Sequence, residues 1–175
     1  MSRTAKSAII LMMVVMSVLA SHHNHPMLEQ SNWNVQGTVN IVREFEGLRL
    51  TAYVCPAGVL TIGYGHTGAD VFRGQTITAA RAEQLLTADL QTFANCVNGA
   101  IRVPLNANQR GALVSFSFNV GCGALRTSTL VTRLNAGQNP NTVAAEELPR
   151  WNRGGGQVLP GLTRRRTAEV NFFRS

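Results

Sequence analysis

The chain has 175 residues, 45% of them hydrophobic, which is enough for one globular domain with a core and an additional terminal segment. It has no low-complexity tract, so the composition argues against a disordered chain. Sixteen Lys and Arg residues against nine acids give a formal net charge of +7. This charge favours a polyanionic partner, which is nucleic acid, an anionic membrane face or an acidic cell wall.

The first twenty residues differ in kind from the rest. Arg3 and Lys6 precede an uncharged apolar run over residues 8–20, and Val18 and Ala20 fit the −3 and −1 positions of a cleavage site. Thirteen helical residues span about 20 Å, less than the roughly 30 Å hydrocarbon core of a bilayer. We expect a secretory signal peptide, with an uncleaved signal anchor in the inner membrane as the alternative. Both predict export to the periplasm or cell wall, with transient membrane contact through this segment.

Residues 21–36 are mostly polar and are predicted to be a lead-in or linker to a single domain over residues 37–175. His22, His23 and His25 lie in this stretch, but no Cys or acid at suitable spacing joins them. The sequence therefore predicts no metal site and no cofactor.

The domain opens with one helix and one hairpin. From Thr38, apolar residues recur at three-residue steps up to Phe45, and Gly47 is placed to end the helix. Two short β-rich runs follow, over residues 50–55 and 59–65, joined by a Pro/Gly turn.

Everything after the hairpin is predicted to be helical. Asn106 and Gln109 form a capping-box pattern, and Gly121 and Gly123 are expected to end the helix that it opens. The other expected helices cover residues 78–97, 128–134, a stretch after residue 141 that runs toward Trp151, and about 162–173, with a flexible triple glycine at 154–156. One helix, one hairpin and about five helices predict an α+β fold with its β part near the N-terminus.

The chain has three cysteines, an odd number for a protein expected in an oxidising compartment. Cys96 and Cys122 each follow a long helical pattern, so we expect a Cys96–Cys122 disulfide, which leaves Cys55 over. Three buried thiols are the alternative.

Three polar or reactive residues come from adjoining elements around the hairpin. Glu46 closes the first helix, Cys55 ends the first strand and Thr61 begins the second, with eight and five residues between them. Glycoside hydrolysis needs a carboxylic acid that protonates the leaving oxygen and a second group that handles water or the sugar cation. The three side chains could supply these groups in one cleft. On the residues alone, an ordinary strand threonine is the preferred interpretation of Thr61, and a small buried hydrophobe is an equal alternative for Cys55.

The stretch FEGLRLTAYVCPAGVLTIGYGHT, residues 45–67, resembles the active-site segment of phage-type lysozymes, or endolysins, of glycoside hydrolase family 24. Their signature is Glu, eight residues, Asp or Cys, five residues, Thr. Residues 110–130 resemble the family's central helix, and residues 161–169 its C-terminal Gly-Leu-x-x-Arg-Arg element. The resemblance covers about residues 36–173.

The resemblance implies a lysozyme-like fold, with a small β lobe, a larger helical lobe and the active-site cleft between them. It implies a monomeric muramidase that cleaves peptidoglycan between N-acetylmuramic acid and N-acetylglucosamine and so lyses the cell. Glu46 would be the general acid. Cys55 and Thr61 would position the attacking water, with inversion at the sugar, although Cys55 could also act as a base or briefly bond the sugar.

Further residues are expected to bind substrate or support the site: Tyr64, His66, Asn119, Arg165 and Arg166. The match places Arg165 and Arg166 on the family's arginine pair, and one of them is expected to form a salt bridge with Glu46. A neighbouring arginine favours an ionised carboxylate, whereas a general acid has to be protonated.

Three other functions stay open. A lytic transglycosylase would use Glu46 without water and leave an anhydro product, and a wall-binding module would have kept the fold without activity. A basic nucleic-acid binder would need arginines and lysines interleaved with exposed aromatics, and it conflicts with the export signal. In related phage proteins an uncleaved N-terminal segment holds the enzyme inactive until release. Residues 1–54 contain no cysteine, so such control here would be topological rather than a disulfide exchange with Cys55.

Overall fold

The computed structural model describes residues 32–55 and 58–175. The predicted signal segment, the histidines His22, His23 and His25, and residues 56–57 of the predicted Pro/Gly turn lie outside the described residues. The helices are α1 (Val35–Glu46), α2 (Ala79–Ala100), α3 (Ala107–Val120), α4 (Cys122–Thr127), α5 (Thr129–Asn135), α6 (Pro140–Glu147), a 3-10 turn (Leu148–Arg150) and α7 (Pro160–Arg174). The strands are β1 (Arg49–Val54), β2 (Leu60–Gly63), β3 (Arg153–Gly154) and β4 (Gln157–Val158). The α+β class is confirmed.

The small lobe is built on the antiparallel pair β1–β2. Tyr53 pairs with Thr61 in the register, and a β-bulge interrupts the ladder between Arg49 and Tyr53. A small apolar cluster of Ile62, Val71 and Leu85 packs between the strands and α2. This cluster attaches the hairpin lobe to the helical lobe.

The helical lobe is organised around α3. Its residues from Gly111 to Ser117 are all buried, because α1, α2, α4 and α7 surround the helix. A helix that is enclosed on every side has no polar face, which explains why Ser115 and Ser117 are buried beside Phe116.

Polar caps fix where the helices begin. The side chains of Asn34, Thr78, Ser128 and Asn139 each accept a hydrogen bond from a backbone N–H in the first turn of α1, α2, α5 and α6. The capping box of Asn106 and Gln109 at α3 is confirmed, with both reciprocal hydrogen bonds present.

Ordered structure is present before residue 37, the predicted start of the domain. Helix α1 begins at Val35, and Trp33 is only 3% exposed and packs in the main core. Asn34 is a helix cap whose side chain also reaches Asn108 at 2.8 Å. The predicted linker over residues 21–36 therefore contains a helix cap, Asn34, and a buried tryptophan, Trp33, which its polar composition did not indicate.

Two expectations about the second half of the chain are wrong. The triple glycine at 154–156 is not a flexible break between helices but part of a short hairpin, β3–β4, in which Gly155 and Gly156 have positive φ. Gly121 ends α3 as expected, but Gly123 does not end a helix. It lies inside a further helix, α4, which starts directly at Cys122.

Cys96 in α2 and Cys122 at the start of α4 form the expected disulfide, with a Cα–Cα distance of 6.0 Å. Cys55 is half-buried and lies outside this bond. Within residues 32–55 and 58–175, the helices are too short or too polar to cross a bilayer.

Candidate active site

A cleft of about 440 Å3 lies where the end of α1, the loop after β2, α2 and the end of α3 meet. Its lining is Glu46, Gly65, Thr67, Asp89, Thr92, Phe93, Phe118 and Asn119. The rings of Phe93 and Phe118 meet edge to face at 5.3 Å. Carboxylates, an amide and hydroxyls beside two aromatic rings suit a ligand with both polar and apolar faces, as a sugar has.

Glu46 occupies the centre of this arrangement because it is the last residue of α1. Gly47 follows with φ 72°, a conformation that favours glycine, and turns the chain away from the helix axis. The Glu46 side chain remains 26% exposed and faces Gly65, where an added Cβ would lie 3.9 Å from Oε2. The carboxyl is thus open to the cleft on one side.

On its other side, Glu46 meets Arg165 of α7. Nη1 of Arg165 donates to Oε1 of Glu46 at 2.5 Å, which gives the ion pair expected for one of the two arginines. Arg165 is 3% exposed, and its remaining donors reach the Ser115 carbonyl at 3.3 Å and the Glu169 carboxylate at 3.2 Å. The guanidinium is therefore held in a fixed plane behind the carboxyl.

Arg166 turns into the same interior. Nη2 donates to Oδ1 of Asn119 at 2.6 Å, and the guanidinium lies 4.9 Å from the Phe116 ring centroid. Its Nε lies 3.0 Å from Oε2 of Glu169, within ion-pair range but without hydrogen-bond alignment. Glu169 is fully buried and also accepts from Ser115 Oγ at 2.8 Å.

Burial dominates the protonation equilibria of this interior. It raises the pKa of the Glu169 carboxyl, although the charges of Arg166 and Arg165 act in the opposite direction. Burial likewise lowers the pKa of Arg166, against the attraction of Glu169. Desolvated charges are costly to keep, and the position of this ion cluster directly behind a cleft carboxyl makes it a candidate functional region.

Cys55 and Thr61 lie on the hairpin and are not among the cleft-lining residues in the part of the chain that the structure describes. Thr61 is 3% exposed, and its hydroxyl donates to the Val59 carbonyl at 3.1 Å. Cys55 follows β1, and its backbone N–H bonds to the same carbonyl at 2.9 Å. The strand that carries Thr61 ends at Gly63, and Gly65, two residues further on, does line the cleft.

Tyr64 is 5% exposed and belongs to the main core. The guanidinium of Arg43 lies 5.9 Å from its ring centroid, and Arg43 also pairs with Glu83 at 3.1 Å. Tyr64 therefore supports the loop before Gly65 rather than lining the cleft.

His66 bridges two carboxylates. Its Nδ1 lies 2.8 Å from Asp89, a cleft residue, and its Nε2 lies 3.2 Å from the exposed Asp70. Burial alone would lower the pKa of His66, but hydrogen bonds to Asp89 and Asp70 outweigh it and raise the pKa. The hydrogen bond from His66 in turn lowers the pKa of Asp70. His66 thus orients Asp89 in the cleft wall.

A protein-family comparison matches the phage lysozyme family over residues 43–169, about three quarters of the chain. The chain belongs to the phage lysozyme family. The matched residues run from the helix that carries Glu46 to the buried Glu169.

Individual relatives agree with this assignment. The endolysin of Bacillus phage PZA is 48% identical over 142 residues, which are 80% of this chain and 54% of that protein. The SAR-endolysin of bacteriophage PS119 is 44% identical over 124 residues, 71% of this chain and 73% of that one. The muramidase domain of SpmX from Asticaccaulis excentricus superposes with a TM-score of 0.74 at 38% identity, covering 82% of this chain and 99% of that one. The fold is therefore lysozyme-like, and the chain spans about half the length of the Bacillus phage endolysin.

Sequence reasoning missed several residues of this phage-lysozyme site. Asp89 interrupts the otherwise apolar stripe of α2 between Leu86 and Phe93, and a charge in such a stripe is a usable signal. Glu169 follows Arg165 by four positions and Arg166 by three, a spacing at which side chains on one helix pair, and this spacing was a usable signal. In the described part of the chain, no group of three or more His, Cys, Asp or Glu side chains is placed to hold a metal ion.

Proposed function

We propose that this chain is an endolysin that hydrolyses the β-1,4 bond between N-acetylmuramic acid and N-acetylglucosamine in bacterial peptidoglycan. The observation that carries the proposal is the position of Glu46, at the end of α1, open to the cleft on one side and held by the buried Arg165 on the other. Membership of the phage lysozyme family supports the same activity. The net charge of +7 supports attraction to the anionic wall.

In this mechanism Glu46 is the general acid that protonates the glycosidic oxygen as the bond breaks. The cleft wall gives the sugar both polar and apolar surfaces, from Asp89, Asn119, Phe93 and Phe118. The ordered guanidinium of Arg165 keeps the carboxyl in one orientation, so no reorganisation is needed when the proton is transferred.

We infer that Thr61 and Cys55 position the attacking water, with inversion at the sugar carbon. The Thr61 hydroxyl donates to the Val59 carbonyl, so toward a water it offers lone pairs only. A water that donates to Thr61 presents its own oxygen for attack. Cys55 would complete this site as a thiol, since the free thiol pKa near 8.5 leaves the thiolate a minor species at neutral pH.

The test is digestion of purified peptidoglycan, followed by mass spectrometry of the soluble fragments. Reducing muramic ends support the proposed hydrolase. Anhydro ends would replace it with a lytic transglycosylase, and binding without fragments would leave a wall-binding module. A DNA mobility assay at physiological salt, expected to detect no binding, separates all of these from a nucleic-acid binder.

We further infer that the enzyme is exported through residues 1–20 and acts as a monomer at the cell wall. The polar and apolar pattern of that segment and the relationship to a SAR-endolysin support export. Gel sizing of the protein from cells distinguishes cleavage, with loss of about 2 kDa, from a retained segment that contacts the membrane before release. Size-exclusion chromatography of the same material tests whether the protein is a monomer in solution.

A further inference from the structure

Four charged side chains form a balanced cluster at the back of the cleft. It contains two carboxylates, Glu46 and Glu169, and two guanidinium groups, Arg165 and Arg166. We propose that Glu169 is a positioning residue that sets the pH range over which Glu46 holds its proton. This inference rests on the proposed muramidase function, because it deepens the role of Glu46.

The connection between the two carboxylates is one guanidinium. Arg165 donates through Nη1 to Glu46 and through Nε to Glu169, at 2.5 and 3.2 Å. Ser115 holds Glu169 and Arg165 together. Its hydroxyl donates to Glu169 at 2.8 Å, and its carbonyl accepts from Nη2 of Arg165 at 3.3 Å. Glu169 therefore fixes the plane of the group that orients Glu46, and the two carboxylates share that one guanidinium charge.

Charge balance decides the direction of the effect. With both carboxylates ionised, the cluster is neutral, and protonation of Glu46 leaves it with one positive charge. Without the charge of Glu169, the same protonation would leave two uncompensated guanidinium charges in a desolvated interior. Glu169 thus makes the protonated, acid form of Glu46 attainable in the presence of two arginines.

Other groups face Glu46 but do not share this burial. Asp89 of α2 also lines the cleft and forms a hydrogen bond with His66, and Asn119 of α3 is neutral. A smaller hollow of about 310 Å3 on the far side of Glu46 is lined in part by Glu44 and Arg164, which are both exposed. Exposed charges are screened by water and salt, so the buried Glu169 has the larger influence.

Stability alone does not require a carboxylate at position 169. Burial of this carboxyl and of Arg166 is costly, and Nε and Nη1 of Arg166 and Oε2 of Glu169 have no aligned hydrogen-bond partner among the described residues. Apolar residues of similar volume at positions 169 and 166 together would remove that cost, whereas replacement of Glu169 alone would leave a buried guanidinium without its partner. A functional requirement explains why this destabilising cluster is present.

The test is the pH dependence of peptidoglycan cleavage by two variants with opposite charge changes. Glu169→Gln keeps an oxygen acceptor for Arg165 and Ser115 but loses the negative charge. We expect the alkaline limb of its pH–rate profile to move to lower pH by about one unit. Arg166→Gln removes a positive charge and should move the limb to higher pH. The double variant should lie near wild type.

Glu147→Gln is the matched control. Glu147 is also buried and also pairs with two arginines, Arg133 at 2.7 Å and Arg150 at 3.4 Å, but it lies outside the cleft lining. We expect it to lose stability and leave the pH profile in place. A merely structural Glu169 would behave in the same way, with a uniform loss of rate at every pH, and that result would overturn the inference.

A second readout does not depend on activity. The carboxyl carbon of Glu46 can be titrated by NMR in wild type, Glu169→Gln and Arg166→Gln, with Glu46→Gln to assign the signal. The inference is supported if the titration midpoint of this carbon moves to lower pH in Glu169→Gln and to higher pH in Arg166→Gln. It is overturned if the midpoints of both variants coincide with that of wild type. If wild type fails to cleave peptidoglycan, the proposed function fails, while this titration still decides the role of Glu169. If Glu169→Gln does not fold, Arg166→Gln and the double variant give the same decision.

Discussion

Nη1 of Arg165 lies 2.5 Å from Oε1 of Glu46, although the two residues are 119 positions apart in the chain. The contact joins the last helix, α7, to the end of the first, α1, and it is made by an arginine that is only 3% exposed. Because the same guanidinium also holds Glu169, the cleft carboxyl is fixed by the packing of the whole helical lobe rather than by its own loop.

Arg165→Met should destabilise the protein by about 3–5 kcal/mol, because it breaks a buried ion cluster by removing one partner. The exposed Arg164→Met is the control and should change the free energy of unfolding by no more than about 0.5 kcal/mol. Urea unfolding of both variants measures the difference. Equal stability of the two would contradict the buried role assigned to Arg165.

Loss of the disulfide should lower stability without touching the cleft. Cys96 and Cys122 are 26 positions apart, and closing a loop of that length in the unfolded chain corresponds to about 3.5 kcal/mol at 25 °C. Thermal unfolding of Cys96→Ala/Cys122→Ala should therefore occur well below that of wild type. A reductant should lower the midpoint of wild type only. A double variant as stable as wild type would refute the expectation.

Stability should depend on pH through His66. Its pKa is raised in the folded state, so its contribution is fully present below its ordinary value of 6.5 and is lost as pH rises through the folded pKa. The pKa of Asp70 is lowered, so its contribution is present above its ordinary value of 3.8 and is lost as pH falls through the folded pKa. The stability deficit of His66→Gln should be largest between these two values and shrink toward alkaline pH. Denaturant unfolding at a series of pH values measures it, and a deficit that does not vary with pH would count against the prediction.

Activity should depend on the Cys55 side chain. Cys55→Ala should lower the cleavage rate by at least about tenfold if the thiol positions water, and Cys55→Ser should retain more activity because a hydroxyl can replace that interaction. Alkylation should inactivate wild type and spare Cys55→Ser, since the other two cysteines are bonded to each other. Full activity of Cys55→Ser together with resistance of wild type to alkylation would exclude the thiol from the mechanism.

Local signals in the sequence were sufficient for most elements of the fold. Helix caps such as Asn106 and Ser128 and the apolar spacing of α2 depend on neighbours within one or two turns, so they can be read directly from the chain. The hairpin β3–β4 could not be recognised in this way, because its strands have only two residues each and its glycines are equally typical of a loop.

The candidate site was predictable where one segment carries it, as at Glu46, and less so where distant segments meet. Trp33 and Glu169 stand in polar stretches, and only the packing of α1, α3 and α7 buries them. Asp89 lines the cleft and is held there by a hydrogen bond with His66. The two residues are 23 positions apart, so local spacing in the sequence does not reveal this pair. Composition alone does not show that two of the three arginines at 164–166 are buried, because their burial depends on the packing of α7.

The most direct test of the account is the initial rate of peptidoglycan clearing by Glu46→Gln beside Glu146→Gln, an exposed carboxylate of α6 outside the cleft lining. The amide keeps the shape of Glu46 and its contact with Arg165 but cannot supply a proton. We expect a loss of at least about a hundredfold for Glu46→Gln and a rate near wild type for Glu146→Gln. Clearing by Glu46→Gln at the wild-type rate, with both proteins folded, would contradict the assignment of Glu46 as the catalytic acid.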